Sequence, residues 1–344
     1  MKQKIGVLLV QLGTPKSPST LDVARYLREF LSDPRVIDLP WLVRSLLVHG
    51  IIVPFRSPRS AKIYRQLWAL GQGESPLLTH TRATAERLAE RFASEEAAEI
   101  TVEMAMRYGE PSLPKTLDRM RQAQYRQIIV IPLFPQYASA STGSALAKVM
   151  ESLMSWWVIP EISLVNQFHD HPAFIEAVCA RAEQLSLEDY DHVLFSYHGL
   201  PERQVDKVYP EGLCKDRDCE TVQNLENQFC YKASCYDTSR RLAARLGLNA
   251  DRYTTCFQSR LNGTWIEPFT DRVIEERARL GDQRLLIFSP AFVADCLETL
   301  IEIGVEYQAH FKAHGGSEVR LVESSNDHPR FIDCLESLIR ERIN

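Results

Sequence analysis

Two stretches of this chain carry residue types at spacings that could do chemistry. The first is SPAFVADCLETLIEIGVE, residues 289–306. Asp295, Glu298, Glu302 and Glu306 follow one another at intervals of three, four and four, so on a helix they form one stripe. No Lys or Arg stands between Ser289 and Phe311 to neutralise them. The plain alternative is the solvated face of an amphipathic helix whose other face carries Leu297, Leu300, Ile301, Ile303 and Val305. The second stretch is SYHGLPER, residues 196–203, where His198 closes an apolar run and precedes Gly199. A neutral imidazole can ligate a transition metal or accept a proton near neutral pH, and Gly199 is expected to let the backbone turn sharply beside it. A lone histidine is more often structural, but a strand end is where side chains enter a cleft. A histidine and a carboxylate ladder on the two walls of one cleft suit a divalent cation and proton removal together.

A third group is Cys214, Cys219, Cys230 and Cys235, separated by four, ten and four residues. Four thiols in so short a span suit zinc or an iron–sulfur cluster, with free thiols as the remaining reading. The spacing fits no common zinc ribbon and is only partly like a ferredoxin loop. Cys179, Cys256, Cys296 and Cys334 read as scattered core thiols. Other signatures are absent: there is no G-x-x-x-x-G-K-[ST], no G-x-S-x-G and no H-E-x-x-H, and GQGESP (71–76) fails the dinucleotide fingerprint at its last glycine. Nucleotide hydrolysis, classical NAD chemistry and serine esterase chemistry lose ground accordingly.

The elements that must position these residues follow from length and pattern. At 344 residues the chain has room for about two domains, and 45% apolar with 25% charged residues is the composition of a soluble globular protein. A net charge of −5 argues against nucleic acid as a partner. The opening MKQKIGVLLVQLGTP reads as a buried first strand rather than an export signal, which points to a reduced, cytoplasmic setting. Strand-like runs alternate with helical ones, the mark of an α/β chain with parallel sheets. The halves also echo one another: LLVQLGTP (8–15) with LFSYHGLP (194–201), MAMRYGEP (104–111) with CFQSRLNG (256–263), and IIVIPLF (128–134) with LLIFSPAF (285–292), in the same order. Two related doubly wound domains are expected, residues 1–165 and 166–327, with a Cys-rich insert at 211–236. A last helix in about 328–344 is expected to pack back on the first domain. All six motifs end strands, so the expected site is a cleft between the domains, outside the carboxyl ends of the sheets.

At these residues the sequence resembles the ferrochelatases, which insert ferrous iron into a porphyrin at the end of haem synthesis. The matching segments are LGTP (12–15), LREFLSDPRVID (27–38), GESPL (73–77), MRYGEP (106–111), PLFPQY (132–137), SYHGLPER (196–203), FQSR (257–260) with Trp265, and FVADCLETLIEI (292–303). The resemblance implies two Rossmann-like domains and a lyase that takes Fe²⁺ and protoporphyrin IX as substrates, with no cofactor needed for insertion. It makes His198 and Glu298 the catalytic and iron-handling pair, facing each other across the porphyrin plane, with Asp295, Glu302 and Glu306 as supporting acids. It places Arg56, Tyr64 and Ser75 against the porphyrin, offers Tyr108, Trp265 and Phe292 as further porphyrin-binding wall residues with ordinary core packing as the alternative, and implies a wide π-type turn in the helix that carries the acids. Some relatives bind a [2Fe–2S] cluster through an internal cysteine segment like this one, whereas the animal pattern uses cysteines near the C-terminus, where this chain has only Cys334. WLVRSLLVHGIIVPF (41–55) matches a hydrophobic lip and implies transient contact with a membrane surface, with a buried helix as the alternative. Leu12, where coproporphyrin-type relatives carry Tyr, favours protoporphyrin; a chelatase for another tetrapyrrole or metal and a non-catalytic haem or iron–sulfur sensor are the competing readings. A monomer is the default.

Overall fold

The computed structural model describes residues 2–96, 98–209 and 219–343. The chain divides into two compact units: Met1–Phe134, Ala138–Gln167 and Leu335–Asn344 form one, and Pro135–Tyr137 and Phe168–Cys334 form the other. Each unit is built on a four-stranded parallel sheet flanked by helices.

In the first unit β1 (Gln3–Gly13), β2 (Ala98–Tyr108), β3 (Gln127–Pro132) and β4 (Glu161–Leu164) lie in the order β2-β1-β3-β4. The run GVLLV explains why β1 is internal: Val7, Leu8, Leu9 and Val10 are fully buried, as a strand covered on both faces requires. Helices α1 (Thr20–Leu31), α2 (Trp41–Leu46), a π-helical stretch Leu47–Ile52, α3 (Val53–Leu70) and α4 (Pro76–Phe92) connect β1 to β2. α5 (Leu113–Ala123) leads to β3, and a π turn at Ser139–Gly143 with α6 (Ser144–Leu153) leads to β4. Ser19 caps α1 by accepting from the Asp22 amide at 3.2 Å. Val23, Tyr26, Leu27 and Leu31, one stripe of α1, then pack with Val48, Val53, Ala61 and Tyr108. Leu335–Asn344 belongs to this unit, where Arg340 pairs with Glu95 at 3.0 Å.

The second unit repeats the plan. α7 (Pro172–Ala180) precedes β5 (His192–His198); α8 (Glu202–Asp206) and α9 (Tyr231–Leu246) lead to β6 (Tyr253–Gln258); α10 (Thr270–Arg279) leads to β7 (Arg284–Phe288). A ten-residue π-helix, Glu298–Tyr307, runs straight into α11 (Gln308–Ala313) and on to β8 (Glu318–Leu321), before α12 (Pro329–Arg340). The order β6-β5-β7-β8 matches that of the first sheet. Ile303, Tyr307 and Phe311, each four residues on, join Leu194, Ile274, Leu285 and Ile287 in the core and fix the face this helix turns to the sheet.

The echo in the sequence is structural. After the second strand of each unit comes a cis Glu-Pro bond, Glu110–Pro111 and Glu267–Pro268. The amides of Met106 and Phe257 donate to the carbonyls of Pro111 and Pro268 at 2.7 and 2.8 Å. A π-helical segment follows the third strand in both.

Candidate active site

His198 ends β5, half-buried, with its Nδ1 2.6 Å from the Gly199 carbonyl oxygen. A carbonyl only accepts, so Nδ1 carries the hydrogen and Nε2 of the neutral ring keeps a lone pair. The rings of Trp265 and Phe292 each stand 6.3 Å from the imidazole, centre to centre. Trp265 is held by a bridge to Pro201 and by the Ile266 amide donating to Leu200 at 2.9 Å. Tyr231, the first residue of α9, donates its hydroxyl to the His198 carbonyl at 2.9 Å. The chain passes Gly199 without a positive φ. What this residue supplies is closeness: a Cβ there would stand 2.8 Å from the Gln258 carbonyl oxygen and 3.2 Å from the Trp265 ring.

Glu298, Glu302 and Glu306 occupy a π-helix, the wide turn that the resemblance implied. Its i→i+5 bonding leaves a wide turn, a distortion frequent at functional sites. Glu298 and Glu302 are half-buried and Glu306 is exposed. Glu302 accepts from the Ser259 amide at 2.8 Å, the Ser259 hydroxyl at 2.5 Å and the Tyr307 hydroxyl at 3.1 Å. The Gln258 side-chain amide donates to the Glu298 carbonyl at 3.1 Å and reaches Glu302 at 3.4 Å, tying the end of β6 to the first turn. Burial raises the Glu302 pKa above its ordinary value; the Ser259 bond and the charge of His198 pull it down, and Glu298 pushes it up. His198, Glu298 and Glu302 therefore form one interacting group inside the second unit. Ser259, Gln258 and Tyr307 were not expected as its supports. The only hint was FQSR itself, because the positive φ of Ser259 (63°) is not visible in the residue type.

Asp295 does not extend the ladder. It is buried, accepting from Asn326 Nδ2 at 2.7 Å, Thr299 Oγ1 at 3.1 Å and the Ser324 amide at 3.2 Å. Its oxygens anchor the start of the helix. The Cys296 thiol beside it is raised well above the ordinary range by burial first and then by Glu298, so it stays neutral.

In the first unit the expected porphyrin contacts divide. Arg56 is exposed on α3, and Tyr64, half-buried, meets Tyr26 and Trp68 edge-on at 6.3 and 5.8 Å. Tyr108 is fully buried, its hydroxyl 2.9 Å from Asp33 and from Ser144, which is the core packing of the alternative reading and not a place on a wall. Ser75 is likewise buried and donates to Thr14 Oγ1 at 3.0 Å. The stretch 41–55 is not the buried helix of the alternative reading: Trp41, Leu46 and Phe55 are 72%, 67% and 79% exposed. Among the described residues no helix is long and apolar enough to cross a membrane.

Of the cysteine quartet, Cys214 lies outside the described residues. Cys219, Cys230 and Cys235 are buried, Cys230 capping α9 and Cys235 lying within it. Burial pushes the Cys235 thiol well up, and Cys230 and Cys219 add to the rise, so the three lie within electrostatic reach. Buried sulfur donors from a loop and a helix start are the donor type that a thiolate-bound group requires.

The family model described as Ferrochelatase matches residues 4–343. A ferrochelatase of Coxiella burnetii is 40% identical over 99% of this chain and 94% of its own length. One from Legionella pneumophila is 41% identical over 98% and 99%. Among solved structures, SirB from Bacillus subtilis with Fe³⁺ aligns at a TM-score of 0.56 over 98% of this chain and 95% of its own, at 12% identity. The sirohydrochlorin chelatase SirB with cobalt, from Bacillus subtilis subspecies spizizenii, aligns at 0.53, over 98% and 95%. These two likenesses speak for the fold alone.

Proposed function

The chain belongs to the ferrochelatase family, and on that premise we propose that it inserts Fe²⁺ into protoporphyrin IX, with release of two protons, in haem biosynthesis. One observation carries the residue-level reading: His198, with a lone pair kept on Nε2, shares the second unit with two carboxylates, Glu298 and Glu302, that pair with no Lys or Arg among the described residues. Insertion has two demands, removal of two pyrrole protons and stripping of water from a dication. Nε2 of His198 accepts a pyrrole proton, its ring held by the Gly199 carbonyl. Glu298 meets hydrated Fe²⁺ or the departing proton first, and Glu302, with its raised affinity for protons, receives what Glu298 passes on. Carboxylate and imidazole hold ferrous iron loosely enough to release it, where thiolates would trap it. Trp265 and Phe292 offer apolar faces beside the imidazole for a flat macrocycle, and a site complementary to a bent ring lowers the barrier. Arg56 and Tyr64 are the candidates of the first unit for porphyrin contact, Arg56 suiting a propionate.

The exposed apolar residues of 41–55 support transient contact with a membrane surface by a cytoplasmic enzyme whose substrate partitions there. Substituting Leu46 and Phe55 by Ser should reduce cosedimentation with vesicles; unchanged cosedimentation removes this contact. Cys214, Cys219, Cys230 and Cys235 are proposed to hold a [2Fe–2S] cluster, supported by the buried grouping of the three described thiols. When bound, such a group supplies a redox-active crosslink between the insert and α9. Colourless protein without iron and sulfide after anaerobic preparation would count against it.

The decisive test is anaerobic incubation of the purified protein with Fe²⁺ and protoporphyrin, followed by absorbance. Metalloporphyrin formation is expected, faster than with coproporphyrin. No product with either porphyrin overturns the activity, and product with coproporphyrin alone overturns the substrate.

A further inference from the structure

Five residues four apart run along one continuous helical stretch: Glu298, Glu302, Glu306, His310 and His314. The first three lead away from His198. The last two lie beyond the π segment, on α11 and its C-terminal cap, and turn from carboxylate to imidazole. There they meet Glu275 of α10, and one ligand atom from each of Glu275, His310 and His314 lies within 4.8 Å of the other two.

Each donor is held ready. Nδ1 of His314 is 2.9 Å from the His310 carbonyl oxygen, so it carries the hydrogen and leaves Nε2 with its lone pair. Nε2 of His310 is shielded from water and makes no hydrogen bond, although Glu275 Oε1 stands 3.3 Å away. A shielded ring nitrogen that faces a carboxylate oxygen at 3.3 Å without hydrogen-bond geometry leaves room for a shared ligand between them. Glu275 has Oε2 tied to Arg272 at 2.9 Å, with Arg279 at 3.9 Å, which leaves Oε1 on the side of the imidazoles. The two imidazole rings converge to 4.5 Å between centroids, one turn apart on one helix face, the spacing at which helical histidine pairs chelate.

The donor set selects the ligand class. Magnesium and calcium want oxygen ligands, and the nearby arginine charges oppose an ion held by one carboxylate alone. Two imidazole nitrogens and one carboxylate suit a borderline first-row ion, with water completing the shell on the exposed His314 side. We propose that Glu275, His310 and His314 form a binding site for a first-row divalent transition metal ion, distinct from the His198 group and at the other end of the same helix. About 20 Å of helix separates Glu298 from His314, so the two groups do not share a ligand. The site stands on its own residues and does not depend on the roles assigned to His198 and Glu298.

The test uses the full chain after treatment with chelator. Equilibrium dialysis against Zn²⁺ should show one bound equivalent fewer for His314→Ala and for Glu275→Gln than for wild type. Any zinc held by His198 or the cysteines is common to all three and cancels. His314 is exposed, so its truncation leaves the core intact, and matching thermal unfolding in metal-free buffer verifies this. In wild type, the ring ¹⁵N resonances of His310 and His314 should shift with added Zn²⁺. Equal binding in all three proteins, or a lost equivalent without movement of those resonances, overturns the site.

Discussion

The ends of β2 and β6 occupy the same place in two sheets of the same strand order, and each takes a carboxylate out of solvent. The two carboxylates are held in opposite states. At the end of β2, Asp33 accepts from Arg107 at 2.6 Å, Ser144 at 2.6 Å and Tyr108 at 2.9 Å. Burial would raise its pKa, but these bonds, the Arg35 amide and the Arg107 charge outweigh burial and hold it below the ordinary value. At the end of β6 the position matching Arg107 is Gln258 and that matching Tyr108 is Ser259. Glu302 receives hydrogen bonds there and the charge of His198, but no Lys or Arg among the described residues pairs with it, and burial wins. One scaffold thus yields a locked ion pair in the first unit and a hydrogen-bonded carboxylate with a raised pKa in the second. A carboxylate becomes chemical where its neutralising partner is left out.

The largest effects should come from the second unit. His198→Ala and Glu298→Gln should each lower metalloporphyrin formation by about 10² to 10⁴, the usual worth of a positioned acid or base, while porphyrin binding by fluorescence quenching persists. Near-native turnover in either variant would erase the contrast between the units. Next in size, Asp33→Ala should destabilise the protein by about 3 kcal/mol in urea titrations, because it strands the half-buried Arg107 charge and the Tyr108 hydroxyl, yet leave turnover per folded molecule intact. Since the folded pKa of Asp33 is lowered, its contribution to stability is present above the ordinary value of 3.8 and is lost as pH falls below that. A pH-independent stability from neutrality to pH 3 would remove the ion pair's role. The smallest effect sharpens the comparison. Ser259→Gly tolerates the positive φ and deletes the hydroxyl that most lowers the Glu302 pKa. The acidic limb of the pH–rate profile should move to higher pH, because an acceptor with a higher pKa is lost sooner on acidification, with the plateau rate within about tenfold of wild type. A limb that stays in place would take Glu302 out of the proton path.

Much of this was legible in the residues. Buried parallel strands write themselves as apolar runs, so β1, β3, β5 and β7 and the residues at their ends stood out, His198 among them. The edge strands β4 and β8, four residues each and partly polar, did not. The stripe of acids was visible because helical spacing is local. The fate of Asp295 was not, since its main partner, Asn326, lies 31 residues on. Tyr108 misled for the same reason: only tertiary packing brings Asp33 and Ser144 to its hydroxyl. His310 and His314 share the local four-residue spacing, but their third partner, Glu275, lies 35 residues before His310 and is brought to them only by the packing of α10.

The contact between Gly199 and Gln258 has a further consequence. The Gly199 amide donates to the Gln258 carbonyl at 2.8 Å, and the Gln258 side chain grips the backbone of Glu298. A single residue thus sets the gauge between the imidazole rail and the carboxylate rail, and the α-hydrogen of Gly199 is the tolerance to which that gauge is cut. A methyl group there would part the rails by widening the joint, so a mutation that touches no proton or metal would still leave the reaction out of alignment.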